Sequence, residues 1–165
     1  ITDDFNNRIT SPSKIYAAKS YSKTKKGDLT FIYINSEKGG IRATDFNQWN
    51  MLKEDLSSKE NKNIILLLPT GIFNGGFTDP LEAELLHKFL VEASENGKNI
   101  FVVHGGSANT FELRDGIRYI GLKTKTLTEA EEIYDVSIVE FVANGSNITY
   151  EINNIFEKPN IKVSQ

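Results

Sequence analysis

Two apolar runs, residues 63–69 and 99–103, flank a stretch marked at both ends as a helix, and no other feature constrains the fold as much. The first run, Ile64-Ile65-Leu66-Leu67-Leu68, has no polar alternation, the pattern of a strand covered on both faces as in a parallel sheet. Between the runs, Asp79 is placed as N-cap, Pro80 stands at the first helical position, and Glu82 follows at capping-box spacing. Gly97 suits the left-handed residue that ends a helix. Strand, helix and strand form a parallel βαβ crossover over 63–103. Its Gly-rich loops, 70–76 and 104–109, then lie at the carboxyl ends of the strands, where open α/β sheets bind ligands.

The flanking segments complete an α/β domain. Residues 15–21 and 28–35 read as an antiparallel hairpin around Lys25-Lys26-Gly27-Asp28, with the lysines in a solvated turn. A helix over 44–58, capped by Thr44 or Asp45, carries Phe46, Trp49, Leu52 and Leu56 on one stripe and turns Lys53, Glu54 and Asp55 outward. Trp49 on that stripe reads as core. In the second helix, 80–96, the buried face is expected from Leu81, Leu85, Leu86, Phe89, Leu90 and Ala93, with His87 partly exposed. Asp115-Gly116 marks a turn into a strand over 117–121. Residues 128–132 form a solvated connection, and 134–142 and 147–152 form a C-terminal β-hairpin about Asn144-Gly145. The fold expected is α/β: a mixed sheet with helices 44–58 and 80–96 packed on it, the crossover at 63–103 and the C-terminal hairpin. It makes one domain over 1–165, with an entering segment 1–14, a core 15–152 and an exit tail 153–165.

Composition removes several function classes. A net charge of -3 argues against a nucleic-acid partner, because phosphate binding needs concentrated Lys and Arg. The absence of cysteine excludes disulfides, thiolate metal sites and thiol catalysis. No apolar run approaches the roughly 20 residues that a membrane-spanning helix needs. Ile1 stands where an initiator Met would, so the chain is expected to be a piece of a longer polypeptide.

The loops hold the candidate site residues Asn74, Asp79, His104, Ser107 and Asn109, with Thr70 and Glu112 nearby. Ser107, His104 and Asp79 contain the residue types of a hydrolytic triad, but Ser107 lacks the Gly-x-Ser-x-Gly elbow that exposes such a nucleophile. Gly105-Gly106-Ser107 has the composition of an anion-binding nest, although no helix begins there, and a tight turn accounts for its glycines.

From Lys26 to Thr124 the order of pieces resembles the C-terminal half of a calcineurin-like metallophosphoesterase domain. The resemblance rests on the strand 27–35, the Gln48-Trp49-x-x-Leu52-x-x-x-Leu56 helix, the Leu-rich helix, and Gly116-Ile117-Arg118-Tyr119-Ile120. In that family histidines at the ends of the two central strands bind metal. Here Leu68-Pro69-Thr70 and Gly106-Ser107-Ala108-Asn109 stand at those places, and Ser and Asn are weak ligands beside imidazole. The family's Asp-x-His, Gly-Asp-x-x-Asp and Gly-Asn-His motifs do not occur in these 165 residues. Gly39-Gly40-Ile41-Arg42-Ala43-Thr44, Pro69-Thr70-Gly71-Ile72-Phe73 and Val103-His104-Gly105-Gly106 are similar to degenerate modules of large bacterial surface proteins that also carry a phosphodiester glycosidase domain.

The resemblance implies a non-catalytic accessory or interaction module, extracellular or at the cell surface, with no metal and no cofactor. Its implied partners are other domains of the parent chain and cell-wall glycan. Two alternatives stay open: a metal-dependent phosphoesterase completed by a missing N-terminal half, and a glycan or small-molecule binding domain.

Overall fold

A computed structural model describes residues 20–123 and 137–154. The expected entering segment, the connection 128–132 and residues 155–165 of the exit tail lie outside the described residues. Eleven elements occur in order among the described residues: β1 (Ser22–Lys26), β2 (Leu29–Tyr33), α1 (Ile41–Thr44), α2 (Gln48–Ser57), β3 (Asn63–Leu68), α3 (Pro80–Glu95), β4 (Asn99–Gly106), β5 (Thr110–Arg114), β6 (Ile117–Lys123), β7 (Ser137–Asn144) and β8 (Asn147–Asn154).

The α/β architecture is as expected, with one six-stranded mixed sheet in the order β1-β2-β3-β4-β6-β5 and a separate β7–β8 hairpin. Strands β2, β3, β4 and β6 run parallel, and the edge strands β1 and β5 are antiparallel to their neighbours. On one face Ile32, Ile64, Leu66, Ile100, Val102 and Tyr119 pack under α2 and α3. On the other, Leu29, Ile65, Phe101, Val103 and Ile120 lie under Val139, Phe141, Ile148 and Ile152 of the hairpin. The unbroken apolar runs of β3 and β4 are thus explained: each residue meets a helix or a hairpin.

The hairpin is also tied at its turn. Asn63, fully buried at the start of β3, donates through Nδ2 to the Gly145 carbonyl (2.7 Å) and the Asp28 carbonyl (3.0 Å). Asn99 reaches the Ser146 carbonyl at 3.0 Å.

Several elements differ from expectation for identifiable reasons. Residues 15–19 of the strand expected over 15–21 lie outside the described residues; β1 takes in Lys23, Lys25 and Lys26, which therefore belong to a strand rather than a turn. Gly27, at φ +53, closes a tight connection that pairs Lys26 with Leu29 and fixes the register. The helix expected over 44–58 starts only at Gln48, after the separate short α1, because Asp45 is extended and its side chain accepts from the Asn47 N–H (3.0 Å). Gln48 then clamps the end of β2, accepting from the Asn35 N–H and donating to the Asn35 carbonyl.

The residues 104–106 expected in a loop continue β4, since they pair with Gly121, Leu122 and Lys123 of β6. Residues 110–114 form β5, closed by Asp115 and Gly116, both at positive φ as a two-residue hairpin turn requires. Strand β8 reaches Asn154, past the expected start of the exit tail.

Both crossovers, β2 to β3 and β3 to β4, place their helices on the same face, and the parallel order β2-β3-β4-β6 advances in one direction. An open sheet forms its ligand crevice where strand order reverses. No such reversal occurs among the described parallel strands, which shifts attention from the loop end of the sheet to the helical face. Among the described residues, no helix is long and apolar enough to cross a membrane.

Candidate functional site on the helical face

The loop end holds Asn74, His104, Ser107 and Asn109, four of the five residues singled out from the sequence, in separate environments. His104 is half-buried with its ring between Gly71 and Gly121, and a Cβ at either glycine would come within about 3 Å of its Cε1. Its Nδ1–H donates to the Gly105 carbonyl at 2.9 Å, which leaves Nε2 as the acceptor in the neutral ring. Asn109 stands nearby on the far side of β6: its Oδ1 accepts from the Lys123 N–H (2.9 Å), and its Nδ2 donates to Ser137 Oγ (3.2 Å). Ser107 is exposed in the bend between β4 and β5. Asn74 is exposed at φ +55 in the loop after β3.

Asp79 is elsewhere, at the start of α3. It caps that helix as expected, accepting from the Leu81 N–H (2.9 Å), and pairs with Arg42 (2.7 Å). Among the described residues, no three His, Cys, Asp or Glu side chains are grouped to hold a metal ion.

A second polar set was not foreseen. His87, expected partly exposed, is buried, because partners far along the chain satisfy both ring nitrogens. Nδ1 lies 2.8 Å from the Tyr119 hydroxyl and Nε2 lies 2.9 Å from Asp115 Oδ2. An ionised Asp115 accepts from Nε2–H, so Nδ1 accepts from Tyr119. Phe73 meets both rings edge-on, and Arg114 stacks over Phe73 at 4.0 Å from its centroid while pairing with Glu84. The order hydroxyl, imidazole, carboxylate is that of an activated nucleophile. Here burial holds the Tyr119 hydroxyl well above its ordinary pKa of 10.0, so it stays protonated and buried. The set is a latch joining α3, β6 and the β5–β6 turn.

The helical face carries the open feature. The expected apolar face of α3 is turned: Ala83, Leu86, Leu90 and Ala93 are buried, whereas Leu81 is 78% and Leu85 45% exposed. Phe46, displaced from the α2 stripe by the break at Asp45, is 59% exposed. These three side chains border a groove of about 270 Å³ between α2 and α3, with Trp49 and Phe89 in its walls and Arg42, Asp79 and Lys53 at its rim.

The groove floor is Glu82. Instead of closing a capping box, its buried carboxylate accepts through Oε1 from the Arg42 N–H (2.7 Å) and from Trp49 Nε1–H (3.0 Å). Its other oxygen lies against Gly40, where an added Cβ would come within 2.3 Å. Trp49 is therefore in the core, as expected, and hydrogen-bonded as well. The signal for the groove was present in the sequence: leucines at 81, 85, 86 and 90 spread over more of a helix than one buried stripe needs.

A larger cleft, about 810 Å³, opens where α2 and α3 end, with Lys53, Lys59, Lys62 and Lys98 around it. Helix C-termini present carbonyls and a partial negative charge, which lysines offset. Lys98 does so directly, donating to the carbonyls of Ser58 (2.5 Å) and Asn61 (2.8 Å). This cleft is helix capping in origin, and the groove over Glu82 is the better contact site.

Behind α2, Asp55, expected to face outward, is buried. It accepts from the Tyr21 hydroxyl at 2.6 Å and pairs with Lys23. Burial and then the Asp55 hydrogen bond push the Tyr21 pKa up, burial raises those of Tyr33 and Tyr119, and the Asp55 hydrogen bond raises that of Lys23. All four groups hold their protons more tightly folded than unfolded, so their contribution is complete below the ordinary tyrosine value of 10.0 and is lost as pH rises beyond it. Urea titrations are expected to show stability falling from about pH 10 upward, with a shallower fall in Tyr119→Phe. An equal slope in that variant would contradict the assignment.

No protein-family model matches the chain, and no curated protein matches it.

Proposed function

We infer that the chain is a contact module: a phosphoesterase-like accessory domain of a secreted or cell-surface bacterial protein, which docks another domain of its parent polypeptide in the groove over Glu82. The observation that carries this reading is the group of Phe46, Leu81 and Leu85, three large apolar side chains exposed beside a groove with a polar rim. Exposed apolar patches with polar borders mark contact sites. The non-catalytic half of the reading is supported at the loop end, where Pro69-Thr70 follows β3 and Ser107-Ala108-Asn109 follows β4.

The test is phosphodiester hydrolysis by the intact parent polypeptide with Mn²⁺, compared with the same protein lacking residues 1–165. An unchanged rate per molecule is expected. Loss of activity on deletion, restored by the isolated chain with metal, would instead favour a metal-dependent phosphoesterase.

A further inference from the structure

The two edges of the sheet differ in a way the groove does not explain. Edge strands present unpaired N–H and C=O groups, and proteins blunt them with charge, especially lysine. Strand β1 follows this rule, with Lys23, Lys25 and Lys26 among its five residues, four of them exposed. Strand β5, Thr110-Phe111-Glu112-Leu113-Arg114, carries no lysine. It exposes Phe111 by 59% and Leu113 by 68%, on the face that continues the apolar strip of Phe101 and Ile120. Among the described residues β5 pairs only with β6.

The backbone of β5 is set for pairing. Arg114 and Ile117 close a two-residue turn and therefore exchange both hydrogen bonds, and such pairs alternate along an antiparallel ladder. Glu112 and Thr110 thus direct their N–H and C=O groups to β6, while Phe111 and Leu113 direct theirs outward.

We propose that β5 pairs antiparallel with β5 of a second copy of the chain, centred on Leu113, joining the two sheets into one. In that register Leu113 faces Leu113, and Glu112 of each copy faces Arg114 of the other. Glu112 has no ion pair among the described residues. Arg114 pairs with Glu84 at 3.1 Å, and its side chain remains 35% exposed. A guanidinium has five N–H donors, so a second carboxylate has a place to bind. Two opposite-charge pairs and one apolar pair are the cross-strand combinations that stabilise antiparallel ladders. This contact involves a different face from the groove and holds or fails independently of the proposed function.

The test is sedimentation equilibrium of the whole chain from micromolar to millimolar concentration. The wild type is expected to rise with concentration from 18.5 kDa towards twice that mass. Leu113→Lys copies onto β5 the device that protects β1, and its unpaired charge is expected to weaken dimerisation by about 100-fold. Glu112→Arg sets arginine against arginine and is expected to keep the chain monomeric. Both sites are exposed, so circular dichroism and thermal melting should match the wild type and separate loss of pairing from loss of fold. A wild type that stays monomeric to millimolar concentration, or a dimer unaffected by Leu113→Lys, overturns the proposal. So does a dimer that is lost in Leu85→Asp and retained in Leu113→Lys, which would place the interface at the groove.

Discussion

Glu82→Ala is expected to destabilise the fold by about 2 kcal/mol, because it leaves two donors, the buried Trp49 Nε1–H and the part-buried Arg42 N–H, without their acceptor. Removing a buried carboxylate also relieves its desolvation, but that relief does not supply the missing acceptor. Glu82→Gln keeps a carbonyl at the same reach and is expected to cost about 1 kcal/mol, the value of exchanging a charged acceptor for a neutral one. Trp49 is the chain's single tryptophan, so its emission reports on the surroundings of this one indole. In Glu82→Ala the indole should become wetter and its emission red-shifted in the folded state. Equal denaturation midpoints for the Ala and Gln variants would show that Glu82 does not organise the groove floor.

The second large effect is expected at His87. His87→Ala removes a buried ring packed against Phe73 and Tyr119 and leaves the buried Tyr119 hydroxyl unpaired. Cavity and unsatisfied donor together are expected to cost about 3 kcal/mol. Tyr119→Phe spares the packing and loses one hydrogen bond, for about 1 kcal/mol. Asp115→Asn keeps a residue tolerant of positive φ, and its side chain is 67% exposed, so it should cost under about 1 kcal/mol. That descending order, read from urea midpoints, is the signature of a packing latch. If Asp115→Asn were the most damaging, the ion pair rather than the buried ring would hold α3 to the β5–β6 turn.

Local chemistry made much of the fold legible. The apolar runs at β3 and β4, the Asp79-Pro80 helix start, Gly97 in the left-handed region and the Asp115-Gly116 turn each act over a few residues, and each stands where expected. The buried polar residues that were misread depended on partners distant in sequence. Glu82 has capping-box spacing, but Arg42 and Trp49, 40 and 33 residues away, compete successfully for its carboxylate. His87 reads as a surface residue until Tyr119 and Asp115 are placed beside it, and Asp55 does so until Tyr21 and Lys23 are.

The turned face of α3 has the same origin. The leucines permit either of two apolar stripes, and the Glu82 and His87 bonds select the one that leaves Leu81 and Leu85 outside. At the loop end, positions 74, 107 and 109 were legible as loop residues, whereas His104 belongs to β4 because it pairs with Gly121 of β6. Asp79 lies instead on the helical side, held by its cap and by Arg42.

The chain contains no cysteine, so Leu85→Cys provides a single thiol at the groove. Its alkylation rate, measured in the isolated chain and in the longer polypeptide that the contact-module reading proposes as its parent, tests most directly whether the groove is a docking site. The thiol should react freely in the isolated chain and at least about tenfold more slowly in the parent, since a covered site reacts only when it opens. Equal rates in the two proteins would show the groove uncovered and contradict the contact-module reading.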